Sequence, residues 1–338
     1  KLNIKSKHEL RCKLKSNVIP SIGACLVHKI PINLLKNSNK SHYQMVLEHY
    51  NLIKEYTPAI VMGFNQVAFD IEFYRRMLFK SLIPEVYQTN TNGNSHLDIL
   101  NVVRVSKFAD DDAIKTILNE KNRTSFKLSD LCIANNIDNG ENHDAITDCL
   151  NSIDLAKIIM KKTSKIWNDA LLLTTKKDTE NFILKNKIYT SLEYFYGNSH
   201  PFLCHHILFH KEFNWSINWD MKVDPTNYLE MDRQTLAKAL EASPKIIRTV
   251  KCNKSLVLLK PEYALKTLKY SEIGLEEINK RIKILDDNPQ FIELISSILS
   301  DKAQQKMSMD QTEPLHEDTI YAGGFANEKD KALMKKFH

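Results

Sequence analysis

Val61-Met62-Gly63-Phe64-Asn65-Gln66-Val67-Ala68-Phe69-Asp70 is the stretch on which the reading of the chain turns. The apolar run from Ala59 to Met62 reads as a short buried strand, closed by Gly63. From Phe69 the period changes. Phe69, Phe73 and Met77 lie four apart and predict a helix that carries them on its apolar face. Asp70 therefore stands where a strand hands over to a helix. In α/β proteins ligands bind at the carboxyl ends of strands. A carboxylate there is either a helix-start charge favoured by the dipole or a metal ligand. A second stretch, Asn142-His143-Asp144-Ala145-Ile146-Thr147-Asp148, opens another helix and moves the balance toward the ligand.

His143 and Asp148 are five apart across that helix start, so they can flank one reacting centre without sharing a helical face. Asp70, from a different strand end, can complete the site. Carboxylates from separate elements plus a His suit metal-dependent phosphoryl transfer. Mg²⁺ prefers oxygen ligands and keeps several waters. Two such ions ~3.5–4 Å apart can stabilise the attacking and leaving oxygens, and a His can take the proton from the attacking water. The competing assignment makes Asp144 a helix cap, Asp148 a surface charge and His143 a loop residue. A His-Asp phosphohydrolase would want further helical His ligands upstream, and only His96, in a loop, is near. Cys204-His205-His206 with His210 lacks the usual chelating spacings, and adjacent residues of a strand point to opposite faces. Tyr189, Tyr194, Phe195 and Tyr196 could stack on bases, but for most of them barrel core is the expected place.

The 338 residues allow two or three domains. No apolar run approaches ~20 residues, so no membrane-spanning segment is expected. The formal charge of +6 fits a polyanion partner without requiring one. Before Asp70 the only acids are Glu9, Glu48 and Glu55, against ten Lys and Arg residues, which makes either a basic groove wall or a solvated surface. Six scattered cysteines without a C-x-x-C pair suit reduced thiols in a cytosolic protein.

Residues 8–30 alternate apolar and polar and read as strand, turn and strand. Ser41 caps a helix to about Tyr56, with Val46, Tyr50, Ile53 and Tyr56 on one face. After a polar loop from Gln88 to Ser95, helices are expected over Asp98–Phe108, Ser125–Ala134 and from His143 to about residue 163. Residues 1–163 thus form an α/β unit, followed by a linker over 164–184. Aromatic strand-like segments make 185–260 a small β-barrel, and 261–338 turns helical.

The succession GFNQVAFDIEF, HLDILNVVR, SFKLSDLCIANNI and NHDAITDCLNSIDLAKII resembles the bacterial exodeoxyribonuclease I family, 3′→5′ single-strand exonucleases of the DEDDh superfamily. SNVIPSIGACLVHK, LEMDRQTLAKAL, EINKRIKILDDNPQ and DTIYAGGFANEKDKALM extend the similarity over essentially the full chain. The resemblance implies an α/β ribonuclease-H-like exonuclease core, with a mixed sheet flanked by helices, followed by an SH3-like β-barrel and a helical C-terminal region. It implies hydrolysis of single-stranded DNA to 5′-mononucleotides, in DNA repair or recombination, with two Mg²⁺ ions (Mn²⁺ as the alternative). Asp70 and Asp148 match metal-binding acids, and His143 matches the general base. Arg75, Arg104, Lys127, Phe126, Asn65 and His28 fall along the implied DNA path. Single-stranded DNA is the implied partner, with the acidic C-terminal tail of single-strand-binding protein as a second. A cytoplasmic, nucleoid-associated bacterial monomer is the matching expectation.

One family feature has no counterpart. The first motif, Asp-x-Glu on the first strand, is absent: no Asp precedes Asp70, and Glu9, Glu48 and Glu55 stand in other contexts. The expectation is a truncated sequence that cleaves little or nothing by itself, short also of the family's C-terminal end. The rival, from another class, is a nuclease-derived protein that binds single-stranded DNA without cutting it. An exonuclease acting on RNA ends is a third option, because nothing here reads the 2′-OH clearly.

Overall fold

A computed structural model describes residues 2–138, 140, 145–309, 315–322 and 324–338. The first unit contains helices α1 (Ile22–His28), α2 (Ile32–Lys36) and α3 (His42–Glu55), strand β1 (Ile60–Gly63), α4 (Asp70–Lys80), β2 (Ser95–Asp98), α5 (Ile99–Ala109), α6 (Leu128–Ala134) and α7 (Ala145–Lys162). β1 and β2 pair in parallel, Ile60 opposite Ser95 and Gly63 opposite Asp98. Both strands therefore end at the same edge of the unit. Ser41 starts α3 through a reciprocal capping box with Gln44, as the sequence indicated.

Helix α5 anchors the core of this unit. Ile99, Leu100, Val102, Val103 and Val105 are buried, against Leu155, Ala156 and Ile159 of α7. Burial of side chains of this size stabilises by roughly 1.5–3 kcal/mol each. Trp167, on α8 (Ser164–Leu171), closes the same cluster, and Val257 and Leu259 enter it from beyond the barrel strands.

Helix α9 (Lys176–Asn186) leads into an antiparallel sheet of β3 (Ile188–Phe195), β4 (Asn198–Phe209), β5 (Ser216–Asp220) and β6 (Ile247–Val250), with α10 (Arg233–Glu241) before β6. Leu259 bridges to Thr190 on the free side of β3, which curls the sheet. The parallel pair flanked by helices and the curled antiparallel sheet agree with the core and barrel architecture that the resemblance implied. Short helices α11 (Glu262–Leu265) and α12 (Leu268–Ser271) precede α13 (Leu275–Asp286), α14 (Pro289–Met309) and α15 (Glu328–Phe337). Ile278, Leu285, Phe291 and Ile298 pack from α13 and α14 against Trp219 and its neighbours. No helix among the described residues is long and apolar enough to cross a membrane.

Four expectations fail. Residues 8–30 contain no strand; Pro20-Ser21 instead leads into α1. The supposed loop before Asp98 ends in β2, whose four residues are all buried. Helix α4 also turns the other way: Ile71, Tyr74 and Leu78 face inward, against Val46 and Ile83. Phe69 and Phe73 are 58% and 57% exposed, their rings 4.7 Å apart. Both sets have helical spacing, and only the neighbouring α3 selects between them. β1 is likewise less buried than its sequence suggests, with Ile60 and Met62 exposed.

Candidate active site

The site grows from the shared end of β1 and β2. Asp98, the last residue of β2, is 4% exposed. Its Oδ1 accepts from the backbone N–H of Asn65 at 2.9 Å and of Leu100 at 3.1 Å. Its Oδ2 accepts from the N–H of Val67 at 3.1 Å. One carboxylate thus caps α5 and also fixes the turn that leaves β1. The Gln66 amide donates to the carbonyls of Val61 (2.7 Å) and Leu97 (3.2 Å), stitching the turn across both strands. Gly63 makes room for it, because a Cβ at 63 would lie 2.9 Å from Gln66 Oε1. Asn65 takes the left-handed conformation, φ 59°, which Asn tolerates better than most residues. Burial pushes the Asp98 carboxyl up, while the three N–H groups and the charge of Arg104 pull it back.

This turn delivers Asp70 to the first residue of α4, and Asp148 stands in the first turn of α7. The Asp70 carboxyl lies within reach of the Asp148 charge. Partial desolvation raises the pKa of Asp70, and the charge of Asp148 raises it further. Each sits at the positive end of a helix dipole, which favours a carboxylate there. Asp148 also lies close enough to Cys132 of α6 to help burial push that thiol up to about 11. Two like charges held together on separate helices suit a divalent cation. Mg²⁺ is commonly bound through one or two carboxylates, several waters and substrate phosphate. Among the described residues no group of three or more His, Cys, Asp or Glu could hold a metal, so the pair alone is the candidate centre.

The remaining expected residues spread outward. His143, with Asn142 and Asp144, lies outside the described residues. His28 ends α1, and its side chain is not among those described. Arg75 follows Asp70 on α4, 3.3 Å from Glu72 and 3.5 Å from the Asn90 side chain, its guanidinium 4.7 Å from the centre of the Tyr87 ring. Arg104 projects from α5 over the Tyr194 ring at 4.0 Å and lies 5.8 Å from that of Phe126. Its Nε is buried without a hydrogen-bond partner. Lys127 is exposed at the start of α6. Phe126, carried over as a DNA contact, is buried and meets Tyr194 edge to face at 5.2 Å. It therefore supports the Arg104 niche from beneath and offers no free face.

In the barrel, His205 Nε2 pairs with Asp286 of α13 at 3.1 Å and His206 Nδ1 with Ser216 of β5 at 2.8 Å, so the adjacent imidazoles have separate partners. Tyr189 is core, whereas Phe195 and Tyr196 are exposed. Asp98, Gln66 and Ser255 are the positioning residues that sequence reasoning passed over. Ser255 Oγ accepts from the Asp98 N–H at 2.8 Å. The only local signal was an Asp directly before an apolar helix, a common N-cap pattern.

The sequence is 26% identical over 340 residues to exodeoxyribonuclease I of Buchnera aphidicola, spanning 96% of this chain and 79% of that protein. Exodeoxyribonuclease I of Escherichia coli is 23% identical over 342 residues, 96% and 70% of the two chains. In three dimensions the chain resembles E. coli exonuclease I solved in complex with a dA16 oligonucleotide, with a TM-score of 0.81 and 22% identity, over 99% of this chain and 73% of that one. No family model matches the sequence.

Proposed function

We propose that this chain, an exodeoxyribonuclease I-type protein, acts on single-stranded DNA from its 3′ end and releases 5′-mononucleotides. The observation that carries the reading is the Asp70–Asp148 pair, two carboxylates brought together from two helix starts where β1 and β2 end. A divalent metal, Mg²⁺ or alternatively Mn²⁺, would supply phosphate-charge neutralisation and an acidified water there. Asp70 and Asp148 would hold it. His143, just ahead of α7, would accept the proton from the attacking water. Arg104, a cation with a desolvated and unpaired Nε, is suited to a backbone phosphate. Arg75 and Lys127 add positive charge along the same path. The acidic tail of single-strand-binding protein is a proposed second partner, supported by a relative solved as an ExoI/SSB-Ct complex.

The pair is half of the four acidic ligands that the resemblance implies. We therefore propose that the chain alone cleaves little or nothing, and that a strand bearing Asp-x-Glu beside β1 restores full activity. The same deficit favours the second reading, a single-strand binder that does not cut. A gel assay with Mg²⁺ on a single-stranded oligonucleotide compares the chain, a version with an Asp-x-Glu strand fused ahead of it, and the fused version carrying His143→Ala. Degradation by the fused protein, abolished in the variant, supports the exonuclease. Binding without cutting by both proteins establishes the binder and sinks the nuclease.

A further inference from the structure

The last part of the chain returns to α4. A short 3₁₀-helix (His316–Tyr321) docks there through Ile320, which is buried in one cluster with Val46 of α3 and Tyr74 and Leu78 of α4. Its last residue, Tyr321, donates its hydroxyl to Glu72 Oε2 at 2.5 Å, across 249 positions of sequence. Phe325 follows and meets the Tyr87 ring edge to face, 5.7 Å between centres. Apolar packing already anchors this segment, so the Tyr321 hydroxyl is an addition that docking alone does not require.

Glu72 is also the partner of Arg75, nearly one turn further along α4. Arginine and carboxylate commonly pair through two parallel N–H···O bonds, one to each oxygen. Here they share a single hydrogen bond, from Arg75 Nη1 to Glu72 Oε1 at 3.3 Å, and Nη2 reaches Asn90 Oδ1 only at 3.5 Å. Both are long for such bonds, so the guanidinium is loosely held. The second Glu72 oxygen is taken by Tyr321. A hydrogen bond to a charged acceptor outweighs an ion pair three residues apart on a helix, so Tyr321 keeps its hold on Glu72. Burial raises the pKa of the Tyr321 hydroxyl, the bond to Glu72 raises it further and Arg75 pulls it back, because the three groups meet in one place.

We infer that Tyr321 is a positioning residue for the substrate: by occupying Glu72 Oε2 it keeps Glu72 from clamping Arg75 with both oxygens, and leaves the guanidinium able to take a phosphate of single-stranded DNA. The role rests on the single-strand reading above, in which Arg75 lies on the strand's path, about 7.5 Å along α4 from Asp70. A guanidinium clamped through two bonds has its fork filled and its charge neutralised. One held through a single N–H can still turn Nη2 from its long bond with Asn90 toward an incoming phosphate.

The test uses the full chain in EDTA, so that strands stay intact, with fluorescein-labelled oligothymidylate of 13 nucleotides, a length found in a solved relative. Affinity is measured over a range of salt concentrations for the wild type, Tyr321→Phe, Glu72→Gln and the two substitutions together. Tyr321→Phe keeps the ring and leaves Ile320 in its place. It is expected to bind roughly 10-fold more weakly, the loss of one charge-assisted bond. The slope of log K against log salt should become shallower by about 0.7, the share of one phosphate contact. In a chain carrying Glu72→Gln the same substitution is expected to change neither quantity, because a neutral amide does not neutralise Arg75. Equal weakening in both backgrounds is the mark of a structural role and overturns the proposal, as does an unchanged affinity and slope in Tyr321→Phe; either leaves the single-strand reading standing. Failure of the wild type to bind the strand overturns both.

Discussion

Replacing Asp98 separates a positioning role from a catalytic one, and its cost follows from the three bonds it accepts. In Asp98→Ala the Leu100 N–H loses its cap acceptor, typically about 1 kcal/mol. Val67 is buried, and its orphaned N–H costs about 1–3 kcal/mol. Asn65 is exposed, so its N–H can turn to water for less than about 1 kcal/mol. The total is roughly 2–5 kcal/mol. Asp98→Asn keeps one oxygen for Asn65 and Leu100 but turns an amide N–H toward Val67, so it should cost roughly 1–3 kcal/mol. Urea unfolding followed through Trp167, buried in the same core, gives the two values. Hydrogen exchange over residues 61–70 locates the loss, and both variants should open there first. A cost below about 1 kcal/mol for Asp98→Ala, or unchanged exchange in that stretch, would refute the view that this carboxylate holds Asp70 in place.

Asp70→Asn should raise the melting temperature at pH 7, because the raised pKa of Asp70 means the folded chain disfavours its charge. The sign follows from the raised value: the stability Asp70 contributes is present below its unfolded pKa and lost as pH rises, so the gain in the variant should vanish near pH 3. A variant less stable than wild type at pH 7 would show the carboxylates are not in repulsion. His96 is held at about 4 instead of 6.5, first by burial and then by Arg75 and Lys254. Being depressed, it costs stability as pH falls from 6.5 toward 4, by up to about 3 kcal/mol. His206, also at about 4, acts in the same window. Melting curves across that range should be flatter for His96→Phe than for the wild type, and parallel curves would contradict the assignment.

What could be read from sequence was what local rules decide. The cap at Ser41, the run of α5 and the first three barrel strands announce themselves within a dozen residues, whereas β6 does not. Helix α4 was misjudged because it offers two apolar faces: 69/73/77 and 71/74/78 both satisfy the helical period, and the choice is made by α3, some 25 residues away in sequence. β2 was invisible for a related reason. Ser95-His96-Leu97-Asp98 is polar and short, and it becomes a buried strand only by pairing with β1. At the site, Asp70 and Asp148 could be named from sequence, but the turn that leads to Asp70 is fixed by Asp98, 28 residues further along the chain. Long-range bonds of that kind leave no periodic trace. Tyr196 shows the opposite case: its residue type was noted, while its exposure follows from a loop geometry that favours other residues.

Polarity is the most direct test of the central claim. The fused Asp-x-Glu version would be given Mg²⁺ and single strands carrying nuclease-resistant phosphorothioate linkages at either the 3′ or the 5′ end. Protection by the 3′ block alone, with stepwise shortening of the unblocked strand, is the expected result, and Asp70→Asn or Asp148→Asn should abolish it. Protection by the 5′ block, or cutting inside strands blocked at both ends, would contradict a 3′→5′ exonuclease built on this carboxylate pair.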